Sequence, residues 1–516
     1  MLNFDRLATP AGHGSTLVEP GPDAMARALL ANRTHLDGLG LTLGGVDLRS
    51  YRQRVRRELT GGATGPVVGI GHQPEFIHPG VWAKHVVAHR LATAVGGEVI
   101  HLVVDSDAPR DALLHVPVVR EGGLDIRSVR VTDVPAGTSY EDYPALDRAA
   151  VDRLRDELAS AMGVRFGESL LPRFFEGVLG SRRPAGWVDQ AVAGRKAIEQ
   201  SFGVVVRDHR VSRVWLGPLL AEIICNAHRF AACYNWALAD YRRSHRVRSP
   251  QRPIPDLIVD GPRCELAAWV QEASGRRQRA FVERCGDTVR LFAGEQELAS
   301  WSADRVRCWQ HIQDSLEDLR GWRFRPRALT LTLWARLCAC DLFIHGIGGA
   351  KYDRITDRLI EIYFGVTPPA MACVSATLWL DLPHADVTAG DVRAARQRLR
   401  SVRYNPQRHL PCDGELARLA DARAVAVEHA SRLRRADGSN GPARRQLFET
   451  IRDVSARMLE HRPEVLRDLE DEVDRLRRGW QETEIAQRRD YFFGLYRPDE
   501  LQELLDRLPA VEAFRI

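Results

Sequence analysis

Residues 66–84, PVVGIGHQPEFIHPGVWAK, combine a short apolar strand at 67–70, a glycine-marked turn and a helix opening at Pro79-Gly80. A strand that stops at Gly-His and feeds a helix puts its turn at the carboxyl edge of a sheet, where open α/β folds bind ligands. The turn holds His72, Gln73, Glu75 and His78, and Lys84 follows one turn into the helix. Residues 341–357, DLFIHGIGGAKYDRITD, repeat this layout late in the chain. The chain therefore reads as an α/β protein with a candidate site at two strand-to-helix turns.

Composition narrows the class. At 516 residues the chain has core enough for about three domains. A net charge of +5, against 73 basic and 68 acidic residues, gives no sign of a nucleic-acid or anionic-membrane partner. The first 20 residues lack the basic start and apolar run of a signal peptide. The most apolar stretches, 214–239 and 328–350, contain charges and do not read as membrane spans. Nine scattered cysteines suit reduced thiols in the cytoplasm. Only three of the basic residues are lysines: Lys84, Lys196 and Lys351. Where arginine is the generic cation, a retained lysine marks a place for a compact ammonium. Two of the three fall in the two glycine turns.

In chain order, residues 1–60 read as an N-terminal helical extension, with helices at 23–30 and 48–59. Residues 61–250 form the first part of the core with a helical insertion. The helix that follows the first strand ends at Gly96-Gly97, and a second strand at 99–104 runs into Asp105-Ser106-Asp107. In a parallel sheet the ends of these two strands are neighbours. Helices are expected at 145–162 and 218–244, and a strand at 203–207. Residues 251–300 read as a small antiparallel β-meander, with turns at Ser274-Gly275 and Gly286-Asp287. Residues 301–405 resume the core, with strands at 342–345 and 377–382. Residues 406–516 form a helical domain. There Leu466, Leu469, Val473, Leu476 and Trp480, like Leu447, Ile451, Val454 and Met458, follow coiled-coil spacing. The break at 437–442 makes an antiparallel hairpin that either packs on its own core or forms a homodimer.

His345-Gly346-Ile347-Gly348-Gly349-Ala350-Lys351 lacks Walker A spacing, but it sits between a strand and a helix. Backbone N–H groups at such a helix start favour an anion, and Lys351 adds charge. The alternative is a tight turn that needs glycine for geometry alone. Asp105 and Asp107 are either ligand groups or turn and cap residues. His72 and His78 are of a type that binds anions or transfers protons near neutral pH. Cys338 and Cys340 lie in an apolar stretch and no CxxC pair exists, so no metal site is expected.

The order of parts resembles the bacillithiol-biosynthesis cysteine-adding enzymes (putative cysteine ligases, BshC). The resemblance rests on Gly71-His72-Gln73, Asp105-Ser106-Asp107, the β insertion from Cys264, Gly348-Gly349, the C-terminal helices and the closing stretch 495–503. It covers most of the chain from about residue 60. It implies a Rossmann-like core similar to the class I aminoacyl-tRNA synthetase catalytic domain. Phe76-Ile77-His78-Pro79-Gly80-Val81 is similar to a HIGH element, and 344–349 to a glycine stretch facing adenosine. The chain departs from the family pattern at His72, where the family has glutamine, in an acidic cluster reduced to two aspartates, and in the AKYDRITD helix start.

The expected activity is ligation of an amino acid, cysteine by resemblance, or a similar small carboxylate to a small-molecule amine. ATP or another nucleotide would activate the carboxyl. His72, His78, Lys84, Asp105 and Asp107 are the expected catalytic set, and Gln73 and Glu75 the substrate contacts. His345, Gly346, Gly348, Gly349, Lys351 and Asp353 are the expected nucleotide or phosphate contacts. The competing expectation is a non-catalytic ligand-sensing or assembly protein that keeps the fold. A tRNA-linked role is disfavoured by the small net charge.

Overall fold

The computed structural model describes residues 7–109, 113–121, 123–214, 216–249, 251–272, 275–319, 321–411, 413–437 and 441–515. Its central sheet has six strands: β1 (Thr16–Glu19), β2 (Val67–His72), β3 (Glu98–Val103), β4 (Arg207–Arg210), β5 (Leu342–His345) and β6 (Met371–Ala376). Their order across the sheet is β1-β6-β5-β2-β3-β4. Every neighbouring pair is parallel except β1 with β6. β5 and β6 are buried at every residue, the pattern of parallel strands covered on both faces. From β2 the chain builds outward through β3 to β4, then returns to lay β5 on the other edge of β2. The direction of strand addition thus reverses between β2 and β5, and a crevice opens outside their carboxyl ends. Close approach at that boundary requires Gly69. A Cβ there would lie 2.8 Å from both Cys340 Sγ and a ring carbon of Phe343.

Helix α1 (Pro79–Ala94) follows β2, α2 (Trp187–Ser201) precedes β4, and α3 (Ile347–Leu359) follows β5. α1 is buried on nearly every side, because the end of the chain folds back over it. Phe493 stacks on Trp82 at 5.4 Å, and Arg90 donates to the carbonyls of Leu505, Leu508 and Pro509. Residues 489–515 therefore group with the sheet and not with the C-terminal helices as expected. The N-terminal segment is no appendage either. Besides β1 it supplies the helices Pro22–Asp37 and Leu48–Thr60, and Asn32, Arg52 and Arg56 all reach Asp341 at the start of β5.

The insertion is a six-stranded antiparallel sheet. It takes in Trp322–Pro326 beyond the expected meander, paired with Arg263–Glu272. The turn at Gly286-Asp287 is present, whereas Ser274 lies outside the described residues. Three local expectations shift. The strand expected at 377–382 is β6, at 371–376, and the strand expected at 203–207 is β4, at 207–210. The helix expected at 218–244 breaks into Gly217–Cys225 and Ala227–Ser244. Short apolar runs do not fix element ends, because periodicity is weak over a few residues. Among the described residues no helix is long and apolar enough to cross a membrane.

Residues 117–126 and 380–488 form a second compact unit. Its helices are α4 (Ala389–Tyr404), α5 (Gly414–Asp437), α6 (Pro442–Glu460) and α7 (Pro463–Ala486). The helices on either side of the expected break, α5 and α6, lie against each other, but a coiled-coil seam is not shown. α7, which carries the Leu466–Trp480 spacing, packs chiefly along α4, while α5 pairs with α6. Arg398–Glu472 and Arg403–Glu470 ion pairs join α4 to α7, and Arg423 Nε donates to Ser455 Oγ at 2.9 Å between α5 and α6. The apolar spacing marked a covered face, with Val473 buried and Leu466, Leu469, Leu476 and Trp480 half-buried, but could not name its partner. Val473 is buried on that face. Val473→Asp should lower the unfolding free energy by about 3 kcal/mol, since an unpaired carboxylate would face apolar surface. Urea melts read the change, and an unaltered midpoint would remove Val473 from the core.

Candidate functional site

The turn after β2 is built around two side-chain contacts. Gln73 Nε2 donates to Asp107 Oδ2 at 3.0 Å, and Arg277 Nη1 donates to Asp107 Oδ1 at 2.9 Å. Asp107 is thereby held between the end of β3 and the antiparallel insertion. The loop at 139–143 docks on the same acidic turn, with Tyr140 N donating to Asp107 O and Glu141 N to Asp105 O. Arg323 and Arg325, on the Trp322–Pro326 strand, hold that loop through Asp142 and Glu141.

Two cavities meet at this turn. One, of about 580 Å³, is lined by Glu75, His78, Tyr140 and Trp187. The other, of about 470 Å³, opens outside the ends of β2 and β5 and is lined by Tyr234, Trp269, Arg277, Phe343, His345 and Gly349. Gln73 and Asp107 line both. In the larger cavity Glu75 Oε1 accepts from the Tyr140 hydroxyl at 2.8 Å. Burial first, and then the Glu75 carboxylate, push the Tyr140 phenol upward, so it stays a donor.

The remaining expected residues divide. Asp105 is buried and accepts from Arg210 Nε at 2.6 Å and from both the backbone N–H and the hydroxyl of Ser212. It ties β3 to the end of β4 and lines neither cavity, so the two aspartates do not act as a pair. His78 caps α1, with Nδ1 accepting from Gly80 N at 3.1 Å. Burial and then the nearby Arg489 push its imidazole down to about 4, so it is neutral at physiological pH. Lys84 is buried behind the strand end, where Nζ donates to Gly71 O at 3.2 Å, and burial brings it down to about 8. It too lines neither cavity.

Around β5, His345 Nε2 contacts Asp353 Oδ2 at 3.0 Å, and Arg336 Nη1 donates to the same oxygen at 2.7 Å. Burial works against the Asp353 charge, but Arg336 and then His345 hold the carboxyl below its ordinary value. Asp353 is a buried anchor and lines no part of the cleft. Gly346 is the N-cap of α3, Gly348 is exposed and Gly349 lines the cleft. Lys351 is exposed and lines neither cavity. The cations that do line the smaller cavity, Arg277 and Arg327, lie on and beside the insertion, and sequence reasoning missed them. Arg327 stacks 4.0 Å from the Trp269 ring centre.

His72 leads to a second group that the sequence did not suggest. Its ring lies against those of His85 on α1 and His101 on β3, and the three rings offer nitrogens within 4.8 Å of one another. Around them Arg195 and Glu199 of α2 and Asp208 of β4 form a buried charged set. Burial pushes all three imidazoles down, His101 to about 3, and pushes Glu199 up to about 7. A histidine inside the apolar run Val99–Val103 was the available signal for His101.

No protein-family model matches this chain, and no curated protein matches it. The functional reading rests on the geometry above. Two cavities share a wall made of Gln73 and Asp107, one rich in aromatic and aliphatic side chains with two guanidinium groups, the other carrying Glu75 and Tyr140. Such an arrangement can hold two small molecules with their reacting ends on either side of one amide–carboxylate pair.

Proposed function

We propose that the chain is a two-substrate ligase that activates a small carboxylate with a nucleotide and transfers the acyl group to a small-molecule amine. The wall shared by the two cavities, Gln73 with Asp107, is the observation that carries this reading. The nucleotide takes the smaller cavity. Its base stacks on Trp269, and Arg277 with the backbone amides opening α3 faces the phosphates. The amine takes the larger cavity, where Glu75 and Asp107 hold its ammonium. In the reaction the substrate carboxylate attacks a nucleotide phosphorus and displaces pyrophosphate or the nucleoside diphosphate. The ammonium first yields a proton to Glu75, the free amine attacks the activated carbonyl, and its second proton departs with the leaving nucleotide monophosphate or phosphate.

In chain order the five parallel strands lie third-second-first-fourth-fifth across the sheet, the order of a Rossmann sheet, which supports a Rossmann-like core. A divergent relative of the cysteine-adding ligases is the reading this favours, with cysteine as the first amino acid to test. Two observations favour the rival, a ligand-sensing or assembly protein that keeps the fold: Asp105 is fully engaged by Arg210 and Ser212, and Lys351 stands outside the cleft.

Calorimetric titration separates the two cavities. Trp269→Ala should weaken ATP binding by about 1–3 kcal/mol, roughly tenfold to a hundredfold in Kd, and leave amine binding unchanged. Glu75→Gln should do the reverse. Incubation of the wild-type protein with nucleotides, amino acids and amines, followed by mass spectrometry, should yield an amide. Absence of both nucleotide binding and product would remove the ligase reading and leave the sensing one.

A further inference from the structure

The three-histidine cluster is used by no step of that reaction, and its hydrogen bonding is incomplete. His72 Nδ1 lies 2.6 Å from the carbonyl oxygen of Gln73. A carbonyl only accepts, so this nitrogen carries the proton and Nε2 presents a lone pair. His101 Nδ1 lies 2.7 Å from Asp208 Oδ1, which fixes the same tautomer. Its Nε2 is buried and has no hydrogen-bond partner, in a residue 1% exposed. His85 Nε2 stands 2.9 Å from His72 Nε2. Two lone pairs cannot face each other at that distance, so in the ion-free protein His85 carries its proton on Nε2 and donates to His72. Its Nδ1 then accepts from Arg195 Nη1 at 3.1 Å. That arrangement strands a second buried atom. Glu199 Oε1 sits 2.7 Å from His85 Nδ1 and has no hydrogen-bond partner.

We propose that His72, His85 and His101 bind one divalent transition-metal ion through their Nε2 atoms. A single ion resolves both stranded atoms. His101 Nε2 becomes a ligand. His85 changes tautomer, its proton moving from Nε2 to Nδ1 with no net gain or loss, and Nδ1–H then donates to Glu199 Oε1. Each ligand then has a partner behind it: the Gln73 carbonyl for His72, Glu199 for His85 and Asp208 for His101. Such partners orient imidazoles and raise their basicity in metal sites. Nitrogens on a tetrahedral zinc stand roughly 3.3 Å apart, from Zn–N distances of about 2.0–2.1 Å, so the 2.9 Å gap needs to open by a few tenths of an ångström.

The donor set selects the ion. Among the described residues the donor set is three imidazoles, which suits Zn, Co, Ni or Cu and gives no tight site for Mg or Ca. Arg195 and Lys84 add positive charge nearby, while Glu199 and Asp208 offset it. Three protein ligands leave a fourth position for water or another small ligand. His72 also lines the smaller cavity, which places the ion one side chain from the proposed nucleotide. The site itself stands whether or not the ligase reading does.

The test uses full-length protein stripped with a chelator and titrated with Co²⁺ and then Zn²⁺. One Co²⁺ per chain should bind with the strong visible bands of a tetrahedral site, and one equivalent of Zn²⁺ should displace it and raise the Tm. His101→Gln should abolish the bands and weaken Zn²⁺ binding at least a hundredfold. Glu199→Gln should weaken it tenfold to a hundredfold. His228→Gln, which changes a surface histidine bonded to the Gly261 carbonyl, should bind as wild type does. Circular dichroism confirms that each variant is folded, and if His101→Gln is not, the wild-type stoichiometry and spectrum decide alone. Wild type that binds neither ion, a weak octahedral spectrum, or a folded His101→Gln with wild-type affinity would each overturn the site.

Discussion

Asp341→Ala should lower the unfolding free energy by about 3–5 kcal/mol, the loss expected when one partner of a buried ion pair is removed. Asp341 is 1% exposed at the start of β5. Its Oδ1 accepts from Arg52 at 2.8 Å and Arg56 at 3.1 Å, and its Oδ2 accepts from the backbone N–H of Val67 at 2.8 Å. One carboxylate thus joins the Leu48–Thr60 helix to the two strands on either side of the crevice. Removing it leaves the Arg52 guanidinium buried with Asp37 as its remaining carboxylate at 3.3 Å, and frees the first N–H of β2. Asp341→Asn keeps an acceptor for Val67 and should recover part of the loss. Because β2 and β5 end at the smaller cavity, ligand affinity should fall along with stability. Urea unfolding checks the magnitude, and a loss below about 1 kcal/mol would mean that solvent or a rearranged Asp37 replaces the pair.

Lys84→Met should act in the opposite direction, stabilising the protein by about 1–3 kcal/mol at pH 7. Among the described residues no carboxylate pairs with Lys84. The ionisable neighbour that favours its charge is the Cys373 thiol, which burial pushes up to about 12 and which is therefore neutral. Bringing an ammonium from 10.5 in the unfolded chain down to about 8 in the folded one corresponds to a penalty on the order of 3 kcal/mol. The folded value is the lower one, so the unfolded state binds more protons between pH 8 and 10.5. The penalty is full below pH 8 and fades as the pH rises through that window. The advantage of Lys84→Met should shrink over the same range. Methionine matches the lysine stem in length and forfeits only the bond to Gly71 O, which is why the net effect is a gain. A Tm for Lys84→Met below that of wild type at pH 7 would show that the ammonium is well satisfied where it lies.

The sequence alone determined the parts of the site that are local. Residues 66–84 form a strand, a turn and a helix because β-branched residues, a glycine pair and Pro79 at the helix start all favour it over a dozen or so positions. The same holds for 342–359, and the adjacency of β2 and β3 followed from two short crossover-linked strands. Gln73, Glu75, His78 and Asp107 were placed at the cavities by that reasoning alone. Which of two aspartates faces the cavities was not legible, because the chain leaves β3 at Val103 and the turn, not strand alternation, directs Asp105 toward Arg210. Nor was the exposure of Lys351, which depends on how α3 rotates against its neighbours. The partner of α7 lay beyond reach for a related reason: an apolar stripe records that a helix is covered, not by what. Tertiary structure alone brought His72, His85 and His101 together with Arg195, Glu199 and Asp208. These six span residues 72 to 208 on three strands and two helices, and no local spacing connects them. Their convergence is a consequence of strand order, which is set by which long-range contacts bury the most apolar surface.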